Sequence, residues 1–335
     1  MAMRTTRKLS HDDYTVGWIC ALPLEMAAAT VMLDETHPSV PQPPNDHNAY
    51  TLGVINGHNV VIACLPTGVY GTTSATAVAI QMLSTFPAIQ FGLMVGIGGG
   101  APSKEADIRL GDVVVSTPTG HSSGVVQYDY GKTIGGGHFE QTGTLNKPPT
   151  ILLTAVSQLI ARHRMGKKQI SGILSKVLAK NPEMKSHLCS PLEQDQLFYA
   201  MYEHIQHEKT CVRCDTSQSV NRVIRASDEP YIHYGIIASA NQVMKHGPTR
   251  DRLAQELGIL CFEMEAAGLM DQLPCLVVRG ICDYADTHKN KQWQGYAAAT
   301  AAAYTKELLS MVPVTVTDKA KGMCTFPVHH YRASC

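Results

Sequence analysis

Apolar runs of strand length recur along this chain, each stopping at glycine, a hydroxyl or an acid. Residues 14–20 alternate and then close as Val-Gly-Trp-Ile-Cys. Residues 91–95, 231–240, 259–262 and 275–282 are likewise apolar, and each predicts a buried strand. Residues 51–65 read as a hairpin around Asn56-Gly57, a pair that suits a tight turn. Helical patterns fall between these runs. Pro23 stands at a helix start, where its missing N–H needs no partner, and an Ala-rich stretch follows it. Residues 67–73 open a second helix that runs through Leu83. Residues 148–162 place Ile151, Leu152, Ala155, Leu159 and Ile160 on one helical face. Residues 249–257 predict a helix capped by Thr249, and residues 293–312 an Ala-rich closing helix. The small residues 266–271 predict a short helix between the runs 259–262 and 275–282. That unit delivers Glu263, Glu265 and Asp283 to the carboxyl ends of neighbouring parallel strands, the edge where ligands sit in open α/β sheets.

Alternating strands and helices of this kind predict an α/β fold of three layers, α/β/α, around a mixed central β-sheet. One domain over residues 14–312 accounts for the pattern, with an insertion at 163–226 where the alternation breaks. Residues 1–13 and 313–335 read as tails. The stretch 120–147, rich in Gly, Ser and Tyr, reads as a surface hairpin, or as a loop whose Tyr128 or Tyr130 could cover a site or meet a neighbouring subunit.

Composition narrows the function classes. With 335 residues, 44% hydrophobic and 17% charged, the chain can bury a sizeable core, and its formal net charge of zero argues against a nucleic-acid polymer or a polybasic membrane anchor as partner. No apolar run approaches membrane-crossing length, so a soluble cytoplasmic protein is expected. Of the ten cysteines, Cys20, Cys64, Cys261, Cys275 and Cys282 lie in strand-like runs, where cysteine acts as a small hydrophobe; a reducing compartment suits them.

Candidate chemistry gathers at the ends of the apolar runs. Thr67-Gly68 and the residues after it expose backbone N–H groups before a helix, which could hold a ribose oxygen, a phosphate or a water. The run Gly96-Ile97-Gly98-Gly99-Gly100 lets backbone approach a ligand closely, and its spacing does not fit a dinucleotide fingerprint. Glu25 sits at a helix N-terminus, where an acid suits the helix dipole without further purpose. Asp112 reads as structural. In the insertion, His204, His207, Cys211 and Cys214 have spacing that could bind zinc or could mark a solvated helical segment.

Glu263-Met264-Glu265-Ala266-Ala267 followed by Arg279-Gly280-Ile281-Cys282-Asp283 resembles the paired signature of the nucleoside phosphorylase and methylthioadenosine/S-adenosylhomocysteine nucleosidase superfamily. The resemblance extends over about residues 14–312 apart from the insertion. It is nearest to a fungal branch often fused to NTPase and repeat domains, none of which is recognisable in these 335 residues. It implies that Glu265 holds the ribose hydroxyls, that Asp283 protonates the purine, and that Glu263, Met264 and Arg279 support the site. It further implies that Gly98 and Gly99 lie beside the ribose and nucleophile and that Val243 and Met244 touch the base. Glu25 matches the nucleosidase acid that activates water, where many phosphorylases carry a phosphate-binding Arg. Ile97 stands where relatives often have a hydroxyl residue.

Breaking an N-glycosidic bond requires a stabilised leaving base, a held ribosyl cation and a nucleophile on its far face. Asp283, with a pKa expected to be raised by burial, Glu265 and Glu25 would supply these without metal or cofactor. A purine nucleosidase acting on a nucleoside or nucleotide is therefore expected, as a homo-oligomer (dimer, trimer or hexamer). A phosphate-dependent phosphorylase and a non-catalytic ligand-sensing module are the alternatives.

Overall fold

Pairing among the apolar runs decides where the acids go. A computed structural model describes residues 9–135, 139–191 and 195–314. In chain order, β1 (Val16–Cys20) turns into α1 (Pro23–Thr30), and β2 (Glu35–His37), β3 (Tyr50–Ile55) and β4 (His58–Cys64) precede α2 (Thr72–Thr85). The long β5 (Phe91–Gly100) follows, then β6 (Val113–Ser116), β7 (Val125–Gln127) and a separate pair, β8 (Gly131–Thr133) with β9 (Phe139–Gln141). Helices α3 (Thr150–Arg164), α4 (Ile170–Lys180) and the short α5 (Lys185–Leu188) lead through irregular chain to β10 (Ile232–Ser239). The last elements are α6 (Gly247–Leu257), β11 (Ile259–Glu263), β12 (Cys275–Asp283) and α7 (Gln294–Leu309).

The main sheet runs β11-β10-β6-β12-β5-β1-β4-β3-β2, with β7 on β10 and a further pairing of β11 with β5. It is mixed: β5 is parallel to β1 and β12, whereas β6 meets β12 antiparallel. Strand alternation sends Trp18 to one face and Ile19 to the other. Trp18 packs with Leu93, Val278 and residues of α1, α3, α4 and α7, such as Leu152, Leu174 and Tyr304. Ile19 packs with Met94, Val277 and Ala75, Val78 and Met82 of α2. This gives the three-layer α/β/α arrangement of the nucleoside phosphorylase-like fold. No helix among the described residues is long and apolar enough to cross a membrane.

Several expectations need correction. Residues 9–13 are not a loose tail: His11–Asp13 forms a 3-10 turn, Asp13 is buried and the His11 ring lies 5.4 Å from Phe86. Residues 1–8 and 315–335 lie outside the described residues. The strand expected over 91–95 continues through the glycine run to Gly100, because β12 pairs along it to Gly99 and β11 pairs with Gly99 and Gly100. Residues 266–271 make only the 3-10 turn Ala266–Gly268, in which Gly268 N–H donates to the Glu265 carbonyl at 3.0 Å and Leu269 N–H to that of Ala266 at 2.9 Å, while the Glu263 and Ser239 side chains accept from the N–H groups of Glu265, Ala266 and Ala267. Helix α6 begins before Thr249 and is capped by His246, whose Nδ1 accepts from the Thr249 N–H at 3.4 Å.

The largest correction concerns β11 and β12, which are not neighbours: β10 and β6 lie between them in the sheet. Their acids still converge, through β5. Gly99 faces Asp283 of β12 on one side and Phe262 of β11 on the other. Only glycine allows that approach, since a Cβ on Gly99 would lie 2.7 Å from Asp283 Oδ1 and 2.9 Å from Ala285 Cβ.

Candidate active site

Glu25 is the third residue of α1, which the Pro23 start turns back over the end of β1. Its Oε2 accepts from the N–H groups of Ala21 (2.7 Å) and Leu22 (3.0 Å), and its Oε1 accepts from Ile97 N–H at 2.8 Å. The carboxyl is thus pinned between strand one and the glycine run, with only 3% of the residue exposed. Burial raises its pKa above the ordinary value, against the lowering influence of Arg279 and the three backbone N–H groups. Gly96 has to be glycine here, because a Cβ would sit 2.4 Å from Glu25 Oε1 and 2.5 Å from Arg279 Nη1.

Arg279, in the middle of β12, is 1% exposed and lies under all three glutamates. Its Nη2 donates to Glu263 Oε2 and stands 3.7 Å from Glu265 Oε2. An unpartnered cation at this depth would cost several kcal/mol, on the order of the penalty for any buried ion, so the arginine and the acids stabilise one another. Glu263 spends its remaining acceptor capacity on the N–H groups of Glu265 (3.1 Å) and Ala266 (3.0 Å). It therefore shapes the turn that carries Glu265 and holds Arg279. Glu265 keeps more freedom, accepting only a 3.4 Å bond from Gly71 N–H besides its contact with Arg279. Burial, then the neighbouring Glu263 charge, pushes its pKa up to about 7 despite Arg279.

Asp283 ends β12 with 4% exposure. Its Oδ1 accepts from Ala285 N–H at 2.9 Å, and its Oδ2 accepts from Lys289 Nζ at 2.7 Å. Burial acts to lower the Lys289 pKa, but the Asp283 carboxylate and its neighbours hold it above the ordinary value. Lys289 was missed from the sequence. It lies six positions beyond Asp283 in a stretch without periodicity, and only the turn through Ala285, at φ 51°, brings it back.

Glu25, Glu263, Glu265 and Asp283 line one cavity of about 190 Å³ together with Gly98, Gly99, Val243, Met244 and Met264. Tyr70, Gln242, Phe262, Lys289 and Gln294 also line it and carried no sequence signal as site residues. Arg279 lies beneath the wall. Thr67 does not reach the cavity: it is exposed in the turn closed by Val69 N–H on Pro66 carbonyl at 3.0 Å, and Gly71 supplies the backbone contact instead. Neither aromatic of the 120–147 stretch lines this cavity. Tyr128 is buried edge-on against Phe262 at 5.5 Å, and Tyr130 borders a different, roomier cavity of about 710 Å³. Among the described residues lining that larger space, Glu256 and Asp271 are the acids and there is no lysine or arginine. Asp112 is structural as expected, bonded to Arg225, His233 and the Arg109 and Tyr231 N–H groups.

With this geometry established, similarity to known proteins can be stated. A nucleotide-binding leucine-rich repeat (NLR)-like protein of Hyaloscypha variabilis is 48% identical over 305 residues, which is 91% of this chain but 30% of that protein. The 5'-methylthioadenosine/S-adenosylhomocysteine nucleosidase of Mycobacterium bovis is 23% identical over 317 residues, covering 90% of this chain and 97% of the relative. Among solved structures, futalosine hydrolase of Helicobacter pylori superimposes with a TM-score of 0.55 at 17% identity, over 90% of this chain and 99% of that one. The 5'-methylthioadenosine/S-adenosylhomocysteine nucleosidase of S. pneumoniae, solved with a transition-state inhibitor, gives 0.55 at 18% identity over 89% and 100%. Both structures share the fold. Residues 15–310, a span that takes in every acid of the cavity, match the phosphorylase superfamily, and to that family this chain belongs.

Proposed function

We propose that this chain is a purine nucleosidase, hydrolysing the N-glycosidic bond of a purine nucleoside or nucleotide to free base and ribose or ribose phosphate. The observation that carries the reading is the meeting of Glu25, Glu265 and Asp283, from three separate strand ends, around one cavity floored by Gly98 and Gly99. Among the described residues lining it, Lys289 is the one cation, and it is bonded to Asp283. The nucleosidase and hydrolase names of the relatives support the same chemistry.

In this mechanism the base lies against Val243, Met244, Met264 and Phe262. The bond from C1′ to purine N9 breaks, its electron pair entering the base, while Asp283, backed by the Lys289 ammonium, gives a proton to N7. Glu265 accepts hydrogen bonds from the ribose hydroxyls and offsets positive charge growing on the sugar. Water attacks C1′ from the far face and loses its proton to Glu25. Glu263 and Arg279 act through Glu265, by fixing its turn and balancing its charge. No step needs a metal or cofactor.

The test is incubation with adenosine, inosine, guanosine, a 5'-thioether nucleoside and ATP, each with and without phosphate, with products separated by chromatography. Base release from at least one of these without phosphate is expected. Binding of one of them without cleavage under any condition would convert the chain into a ligand-sensing module.

Glu265 adds a pH signature. Its carboxyl stays protonated below about pH 7 and must be ionised to serve the sugar. kcat/KM should therefore fall as pH drops through about 7, and Glu265→Gln should both lower kcat and remove that part of the acid limb. An unchanged limb in the variant would assign it to another group.

A further inference from the structure

The insertion lies against the chain that leaves β12, and three side chains with metal-binding chemistry meet at that seam. A ring nitrogen of His204 and the Sγ atoms of Cys211 and Cys214 all lie within 4.8 Å of one another. His207, the fourth ligand suggested by spacing, does not join them: it is exposed in a turn at φ 68°. The place near the cluster is taken by His288, five positions after Asp283. Its ring is buried, with 8% of the residue exposed, and neither ring nitrogen has a hydrogen-bond partner. The His288 carbonyl accepts from Cys211 Sγ at 3.8 Å, and its ring centroid is 5.4 Å from that of His204, with the rings nearly perpendicular at 81°.

The separation of the two imidazole rings suits a shared tetrahedral ion. With zinc–nitrogen bonds of about 2.0–2.1 Å, two imidazoles sharing one zinc have centroids roughly 5 Å apart. A half-turn of the His288 ring about its Cβ–Cγ bond exchanges ring nitrogens with carbons. It leaves the ring plane, and hence the 4.1 Å stack on Phe198, undisturbed.

We propose that His204, Cys211, Cys214 and His288 bind one zinc ion as a closed structural site. Two thiolates two residues apart with two imidazoles form a donor set that selects zinc over harder cations. The ion would give a bond to a buried imidazole whose nitrogens make no hydrogen bond, Nδ1 standing 3.6 Å from Asp286 Oδ1, and it would join the insertion to the main fold where His204 N–H already donates to Thr287 Oγ1 at 2.8 Å. Because Lys289 follows directly, the same clip fixes the segment that brings the ammonium to Asp283. The inference stands independently of the proposed reaction.

The experiment uses the full chain, stripped of metal by a chelator under reducing conditions and resupplied with Zn²⁺ alone. About one zinc per chain should return, with a higher melting temperature. Co²⁺ in its place should give thiolate-to-cobalt charge transfer and the intense visible bands of a tetrahedral ion. Cys211→Ser and Cys214→Ser should lose the metal, and His207→Ala should keep it. His288→Ala should weaken it by at least about tenfold, since even outer partners of a ligand have that effect. A stripped wild-type chain that takes up no zinc, shows no cobalt bands and melts unchanged overturns the site, whether or not the cysteine variants fold. Wild-type affinity in His288→Ala overturns the ligand set.

Discussion

Asp283→Asn should fold and bind ligand yet lose at least about a hundredfold in cleavage, equivalent to roughly 2.7 kcal/mol of transition-state stabilisation. The structure explains why the fold should survive. The amide oxygen can still accept from Ala285 N–H, and Lys289, only partly buried, can turn away from the new NH₂ group. What disappears is a carboxyl able to pass a proton to the leaving base while an ammonium 2.7 Å away stabilises the charge left behind. The measurement is single-turnover base release, alongside a melting curve and ligand binding by calorimetry. Wild-type turnover in a variant that melts normally would take Asp283 out of the mechanism.

Glu25 carries the second large effect, because it separates hydrolysis from phosphorolysis. A phosphate dianion beneath C1′ would meet the Glu25 carboxylate; two such charges about 4 Å apart repel by roughly 1 to 4 kcal/mol for effective dielectrics from water-like to those near a protein surface. Water instead gains a base whose pKa burial has raised, which favours proton uptake near neutral pH. Added phosphate should leave the rate unchanged beyond an ionic-strength effect, and the product should be free sugar. Alanine is a poor probe, since it would abandon the N–H groups of Ala21, Leu22 and Ile97, each costing about 1–3 kcal/mol if left unpaired in the interior. Glu25→Gln retains an acceptor for Ala21 and Leu22. It should keep ligand binding while hydrolysis falls by at least about a hundredfold, the scale of a lost general base. Phosphate-dependent ribose 1-phosphate would show that Glu25 has been misread.

The similarity to an NLR-like protein sets the scale of these statements, because the chain spans only 30% of that relative's length. A nucleosidase reaction assigned to this span leaves the activity of any longer architecture as a separate proposal. Metal uptake reads the proposed zinc site and base release reads Glu25 and Asp283, so the two proposals are measured separately within one chain.

By itself the sequence determined the local elements and the chemical types at their ends. Apolar runs such as Val16–Cys20 and Cys275–Asp283 have few alternatives to a buried strand, and Pro23 and Asn56-Gly57 set a helix start and a turn through their own backbone preferences. Asp283 was legible as the end of such a run and Glu265 as lying two residues past one, whereas Glu25, a helix N-terminal acid, was singled out through the family resemblance. Tertiary structure decided everything that depends on which strands pair. The hydrophobic pattern marks residues as buried without naming their neighbours, so nothing local revealed that β10 and β6 separate β11 from β12, or that β5 reunites their acids at Gly99. The same reason hid Lys289, Tyr70 and His288, whose partners are reached through turns and long-range contacts without periodicity. It also made His207 a plausible ligand by spacing, although spacing along a chain constrains side-chain direction only where the backbone is regular, and around His207 it is not.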